Sequence, residues 1–299
     1  MSSYADKLRT SWQLFRQSLQ VLRKNPKLYL FPVASTLCAI AILLFFFAPI
    51  VLVLFGLTRN WTVTHANVNW DDFAARVGLV KYVYGVVLYL VSMFVATFMN
   101  VAFYNEIMRA LAGEQVSIRH GLRFALSRVQ AILMWSLLAG TVGLIIRAIE
   151  ERLGWLGKIV MAAIGTAWSV AAVFAIPVII RRTDSNPLVV LRDSVATLKR
   201  TWGESLAGWV GIRLGGVVFV LLSVGLLLPA VLLSIGLHQF WMIPAAALVW
   251  LLSVFVTAFL VSMATHVYRC ALYVYASEGV VPEPYTAEMM NAAWKVKKA

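Results

Sequence analysis

The residues of this chain best suited to chemistry are amide and ionisable side chains caught in long apolar runs. Asn100, Asn105, Glu106 and Arg109 stand near the end of one run, His266 and Arg269 near the end of another, and Arg213 one or two turns inside a third. Charge in hydrocarbon is costly, so an ionisable residue at such a depth marks either a function or a paired structural role. Glu106 and Arg109, three apart, are in reach of an ion pair on a helix, and Asn105 shares a face with Arg109. These seven are the candidate lining of a polar cytoplasmic vestibule for an anionic headgroup or solute. Snorkelling and interhelical ion pairs at helix ends are the plainer reading of the same residues.

Elsewhere the sequence offers little chemistry. The segment Arg59–Leu79 reads as an outer loop with Trp61, His65, Trp70, Asp71 and Asp72, which as a metal site is weaker than as a solvated loop. The four histidines, His65, His120, His238 and His266, have no ligand spacing. Phosphate loop, His-Glu-x-x-His and Gly-x-Ser-x-Gly signatures are missing, and no carboxylate pair lies mid-membrane. Cys38 and Cys270 read as free, buried thiols. The expectation is a protein that is not an enzyme, with no cofactor and no metal.

The elements that must position the candidate residues follow from hydrophobicity. The chain has 299 residues, 61% hydrophobic and 13% charged, against roughly 25% charged in soluble domains. No charged residue occurs from Leu28 to Thr58 or from Leu214 to Tyr268. A bilayer core of about 30 Å takes roughly 20 apolar residues per helix. Six spans are predicted: Leu28–Leu57, Val80–Tyr104, Val129–Ile146, Ile159–Ile180, Leu206–Ile235 and Trp241–Tyr268. Pro32 and Pro49 fall near the ends of the first, and Pro229 and Pro244 mark a kink and a helix start. Six Lys and Arg in the first 27 residues interrupt any signal-peptide core, so the first span is expected to remain.

Of the 26 Lys and Arg, 20 fall on the face that carries both termini, counting Arg213, and six on the other. The positive-inside rule therefore places both termini in the cytoplasm of a prokaryotic plasma (inner) membrane. The net charge of +13 is accounted for by topology and anionic headgroups, with no nucleic-acid partner.

One pattern recurs on the cytoplasmic side: Phe15-Arg16-Gln17-Ser18-Leu19, Leu122-Arg123-Phe124-Ala125-Leu126 and Leu191-Arg192-Asp193-Ser194-Val195. Each segment has an apolar stripe at helical spacing: Leu8, Trp12, Phe15, Leu19, Leu22; then Ile118, Leu122, Leu126, Val129; then Leu188, Leu191, Val195, Leu198, Trp202. Such helices suit the membrane interface, with Arg16, Arg123 and Arg192 among phosphates and Trp12 and Trp202 as anchors. Ser117 and Asn186-Pro187 are helix starts. Each segment leads into two spans, giving one membrane domain, 1–299, of three parallel units near 1–110, 111–182 and 183–299. The fold class is an all-α integral membrane protein: six transmembrane helices and three cytoplasmic interfacial amphipathic helices in a threefold parallel repeat. Rows of small residues, Ala163-Ala167-Ala171-Ala175 and Ala207-Gly211-Gly215, predict close packing within the bundle, with an oligomer seam as the alternative.

Several stretches carry a resemblance to an uncharacterised prokaryotic multi-pass membrane family, a domain of unknown function. They are Phe103-Tyr104-Asn105, Gly121-Leu122-Arg123, Val142-Gly143-Leu144 through Arg152, Gly165 through Val170, Ile176-Pro177-Val178 and Leu198 through Glu204. Ser11-Trp12-Gln13-Leu14 and Leu30-Phe31-Pro32 also fit. The chain departs from that family at Arg181-Arg182, where the family tends to be acidic. The repeat is also similar in architecture to the membrane domain of glycerophosphodiester phosphodiesterases, which implies lipid handling and carries over no catalytic residue. The functional expectation is a membrane scaffold, lipid-binding or assembly component. Its partners are membrane lipids with anionic headgroups, a second copy or another membrane protein. The alternative is a channel or permease for a small solute or ion.

Overall fold

The computed structural model describes residues 4–59, 70–200, 223–225, 227–239 and 241–292. These are helical, with no strand among them. In chain order the helices are α1 (Tyr4–Lys24), α2 (Leu30–Arg59), α3 (Trp70–Leu111), α4 (Ile118–Ser127), α5 (Val129–Arg152), α6 (Trp155–Ala171), α7 (Ala175–Arg181), α8 (Pro187–Arg200), α9 (Leu227–Gly236), α10 (Met242–Glu278) and α11 (Ala287–Ala292). A short 3-10 turn, Pro26–Tyr29, joins α1 to α2.

Five stretches among the described residues are long and apolar enough to cross a membrane: Pro26–Pro49, Tyr82–Leu111, Val129–Arg152, Gly157–Arg181 and Met242–Glu278. They correspond to five of the six predicted spans. The other, Leu206–Ile235, lies for the most part outside the described residues, and α9 covers its end. Only 6% of the most apolar window of the first and last of these stretches is buried by protein, so lipid must cover the rest. Phe45 and Phe255, 74% and 69% exposed, could not stand so in water without creating an adhesive patch.

Three boundaries differ from expectation. Pro49 lies inside α2 rather than at its end. Pro229 is the third residue of α9, the place where a missing N–H is tolerated, as Pro244 is in α10. The loop placed at Arg59–Leu79 is helical from Trp70, so Asp71 and Asp72 open α3, while Trp61 and His65 lie outside the described residues.

The described residues form two compact units. One comprises Tyr29–Asn105 and Ser117–Ser194. In it Phe31 packs on Phe103, ring centroids 5.5 Å apart, and Trp135 of α5 stacks on Trp168 of α6 at 6.2 Å and 9°. The Tyr84 hydroxyl donates to the carbonyl of Phe46, whose ring it meets edge-on. α3 and α5 approach closely at two glycines. A Cβ at Gly140 would stand 2.9 Å from Leu90 Cδ2, and one at Gly143 would stand 2.6 Å from Tyr89 Oη.

The sequence placed the close packing elsewhere. Ala163 and Ala167 are exposed, and only Ala175 of that row is buried. Residues four apart drift by about 40° per step around an α-helix, so a row of four leaves a single face. The row Ala207-Gly211-Gly215 lies outside the described residues.

The second unit comprises Met1–Leu28, Glu106–Val116 and Val195–Ala299. Here α1 lies along α10, and α9 and α11 complete the packing. Trp250 Nε1 donates to Ser223 Oγ at 2.9 Å. The core gathers at one end of α10, from Met263 to Val274, beneath Leu14, Val21, Leu22 and Met290. Gly279, with φ of 68°, closes α10 in the left-handed conformation, its N–H reaching the Tyr275 carbonyl at 3.0 Å.

Candidate functional site

The predicted pair at the end of α3 forms. Arg109 Nη1 lies 3.3 Å from Glu106 Oε2, and the Glu106 side chain is completely buried. A second carboxylate joins it: Arg109 Nε donates to Glu114 Oε2 at 2.8 Å. The turn after α3 brings Glu114 back. Gly113 takes φ of 78°, and the amide of Glu114 donates to the Arg109 carbonyl at 2.9 Å while that of Gly113 reaches Ala110 at 3.2 Å. This is a Schellman closure, for which Gly113 after the last apolar residue was the available signal. Arg109 thus spans two carboxylates on its own segment.

His266 and Arg269 stand half-buried, three residues apart, on α10. Asn105 is buried and Asn100 exposed, both in the other unit. Arg213 lies outside the described residues. Of the seven candidate vestibule residues, the structure joins Glu106 to Arg109.

The three recurrent segments each fall on a helix, α1, α4 and α8. Their burial follows one order over five positions: buried, half-buried, exposed, half-buried, buried. It runs Leu14-Phe15-Arg16-Gln17-Ser18, Gly121-Leu122-Arg123-Phe124-Ala125 and Val190-Leu191-Arg192-Asp193-Ser194. Arg16, Arg123 and Arg192 are exposed, as is Trp12, while Trp202 lies outside the described residues.

The inward row is therefore not the predicted apolar stripe. Ser18, Ala125 and Ser194 are each completely buried, whereas Trp12, Leu126 and Leu188 of the stripes are 60–65% exposed. Small inward residues let the helix lie close on its neighbours, and the larger apolar residues are left on the open flank.

The two serines of the inward row have partners that sequence reasoning missed. Ser18 Oγ donates to the Leu14 carbonyl at 2.8 Å and sits 2.8 Å from Tyr285 Oη. Burial raises the Tyr285 phenol above its ordinary range, and the bond to Ser18 offsets part of that. Ser194 Oγ donates to the Ala171 carbonyl at 2.6 Å and accepts the Phe174 N–H at 3.1 Å. Those groups flank the break between α6 and α7, where Pro177 cannot continue the ladder. Broken helices are tolerated at membrane depth when neighbours re-satisfy the backbone, and Ser194 does so here.

On the hairpin between α5 and α6, Arg147 pairs with Glu151 at 3.1 Å, as its four-residue spacing predicted. Asn186 Oδ1 accepts the Leu188 N–H at 2.9 Å and caps α8, with Pro187 in its first turn. Ser117 precedes α4 in extended conformation, but its side chain makes no capping bond. Arg182, one of the two residues where the resemblance departs, pairs with Asp193 of α8. Among the described residues, no three His, Cys, Asp or Glu gather as a metal would require.

Five apolar helices of membrane-crossing length, covered mostly by lipid rather than protein, define an all-α multi-pass membrane protein. Polar groups concentrate at the helix ends and their connections. The particular family follows: residues 79–282, more than half of the chain, match the family of unknown function DUF6159, and the chain belongs to it. No curated protein and no solved structure matches. The architectural similarity to glycerophosphodiester phosphodiesterases therefore gains no support.

Proposed function

We propose that this chain is a scaffold, lipid-binding or assembly component of a prokaryotic inner membrane, with both termini cytoplasmic. Three units, each an interfacial helix followed by a transmembrane hairpin, hold exposed arginines in the headgroup layer. The observation that carries this reading is the burial order shared by α1, α4 and α8. Each helix turns a small residue inward, keeps large apolar residues on an open flank and exposes an arginine beside them. That division of faces suits a helix lying in the acyl boundary with cations among phosphates.

The alternative, a channel or permease, calls for a polar path through the spans. Glu106, a candidate liner, instead engages Arg109 of its own helix, which in turn holds Glu114.

Native mass spectrometry of the protein gently extracted from its own membrane tests the choice. A monomer retaining specific lipids or another membrane protein supports the scaffold reading. A closed homo-oligomer that conducts ions or solute in reconstituted vesicles overturns it.

A further inference from the structure

The open face of α1 carries two adjoining grooves. One, of about 680 Å³, is lined by Trp12, Phe15, Arg16, Leu19, Gln20 and Arg23. The other, of about 340 Å³, is lined by Gln13, Arg16, Gln17, Gln20 and Met289 of α11. Arg16 and Gln20 form the ridge between them. The first groove pairs an aromatic and aliphatic wall with two guanidinium groups. The second is floored by amides, which hydrogen-bond to neutral hydroxyls without demanding charge. No Asp or Glu occurs between Lys7 and Trp70, so nothing on α1 after Asp6 neutralises Arg16 and Arg23. Glu288, exposed on α11, lines neither groove.

We propose that this face binds one anionic glycerophospholipid bearing a hydroxylated headgroup, of the phosphatidylglycerol type. The phosphodiester lies between Arg16 and Arg23, two helical turns apart. The acyl chains follow Trp12, Phe15 and Leu19. The headgroup hydroxyls enter the glutamine-lined groove. Charge complementarity selects this occupant: a zwitterionic lipid would bring its ammonium towards two arginines with no carboxylate to receive it. The assignment rests on the lipid-contact reading above and gives it an address and a headgroup.

The test titrates the full chain in detergent with equimolar phosphatidylglycerol and phosphatidylethanolamine of matched acyl chains, reading retained lipid by native mass spectrometry. The wild type is expected to retain the anionic lipid in preference. Arg16→Gln with Arg23→Gln should lower that preference about tenfold, the loss of one charge-assisted contact. Both residues are exposed, so the melting temperature should hold. Trp12→Ala should weaken retention of both lipids alike. Arg152→Gln with Lys158→Gln removes the same charge elsewhere and should change nothing. If the arginine pair is replaced without effect, or the control pair is equally damaging, the α1 site is wrong while lipid binding stands. If the wild type retains neither lipid, both the site and the wider reading fall.

Discussion

Tyr285 donates its hydroxyl proton to Ser18. The two oxygens lie 2.8 Å apart, and the single Ser18 proton is committed to the Leu14 carbonyl at 2.8 Å, which leaves Tyr285 as donor. The contact ties the first helix to the segment that follows the last span, across a buried site. The direction of donation sets an asymmetry. Tyr285→Phe removes one bond but leaves Ser18 satisfied, at about 1 kcal/mol, whereas Ser18→Ala strands a buried phenol, at about 1–3 kcal/mol. Denaturation in detergent should rank Ser18→Ala as the more damaging. Equal losses would mean that the bond contributes little.

The same phenol predicts a pH dependence. Burial raises the Tyr285 pKa above its ordinary 10.0. A group whose folded pKa is raised stabilises fully below its unfolded pKa, and that contribution is lost as pH climbs from there through the folded value. Stability should fall on alkalinisation beginning near pH 10, and the fall should be shallower in Tyr285→Phe. Melting curves of the two proteins from pH 8 to 11 make the comparison.

Ser194 should matter more than its size implies. Ser194→Ala strands the Ala171 carbonyl and the Phe174 N–H at the α6–α7 break, each at about 1–3 kcal/mol if water cannot reach it. Hydrogen exchange at the Phe174 amide should quicken sharply in the variant. Unchanged protection would show the break to be held by other contacts.

Gly140 and Gly143 set the approach of α5 to α3. Gly140→Ala meets only a Leu90 methyl that can rotate away, so its cost should be small. Gly143→Val presses two methyls on the Tyr89 hydroxyl, and overpacking of this kind costs about 1–3 kcal/mol. Thermal unfolding of the two variants should separate them clearly.

Much of this molecule can be read from hydrophobicity alone, because a bilayer imposes one length on every span. The start of α5 at Val129, the close of the fourth stretch at Arg181 and the helix start at Asn186-Pro187 were all legible. Local ion pairs were legible too, since Arg147–Glu151 and Glu106–Arg109 depend only on helical spacing.

Tertiary choices were not. Periodicity gave the apolar stripe through Trp12, Phe15 and Leu19, but in lipid an apolar stripe need not face inward, and Leu14 and Ser18 do so instead. The Ala163 row looked like a packing seam because sequence spacing conceals the drift of successive turns. Glu114 was missed because its reach to Arg109 depends on the reversal at Gly113. Tyr285 could not be matched to Ser18 by any local pattern.

The central claim is a multi-pass chain whose arginine-bearing segments lie on the cytoplasmic side. Single cysteines placed in a cysteine-free background test it most directly, read with a membrane-impermeant thiol reagent on intact cells and on inverted vesicles. Arg152→Cys, exposed on the α5–α6 hairpin, and Thr183→Cys, exposed before α8, make the pair, since Thr183 leaves the Asn186 cap intact. The prediction is labelling of Arg152→Cys in intact cells only and of Thr183→Cys in inverted vesicles only. The reverse pattern would place Arg192 and its neighbours outside the cell and contradict the account.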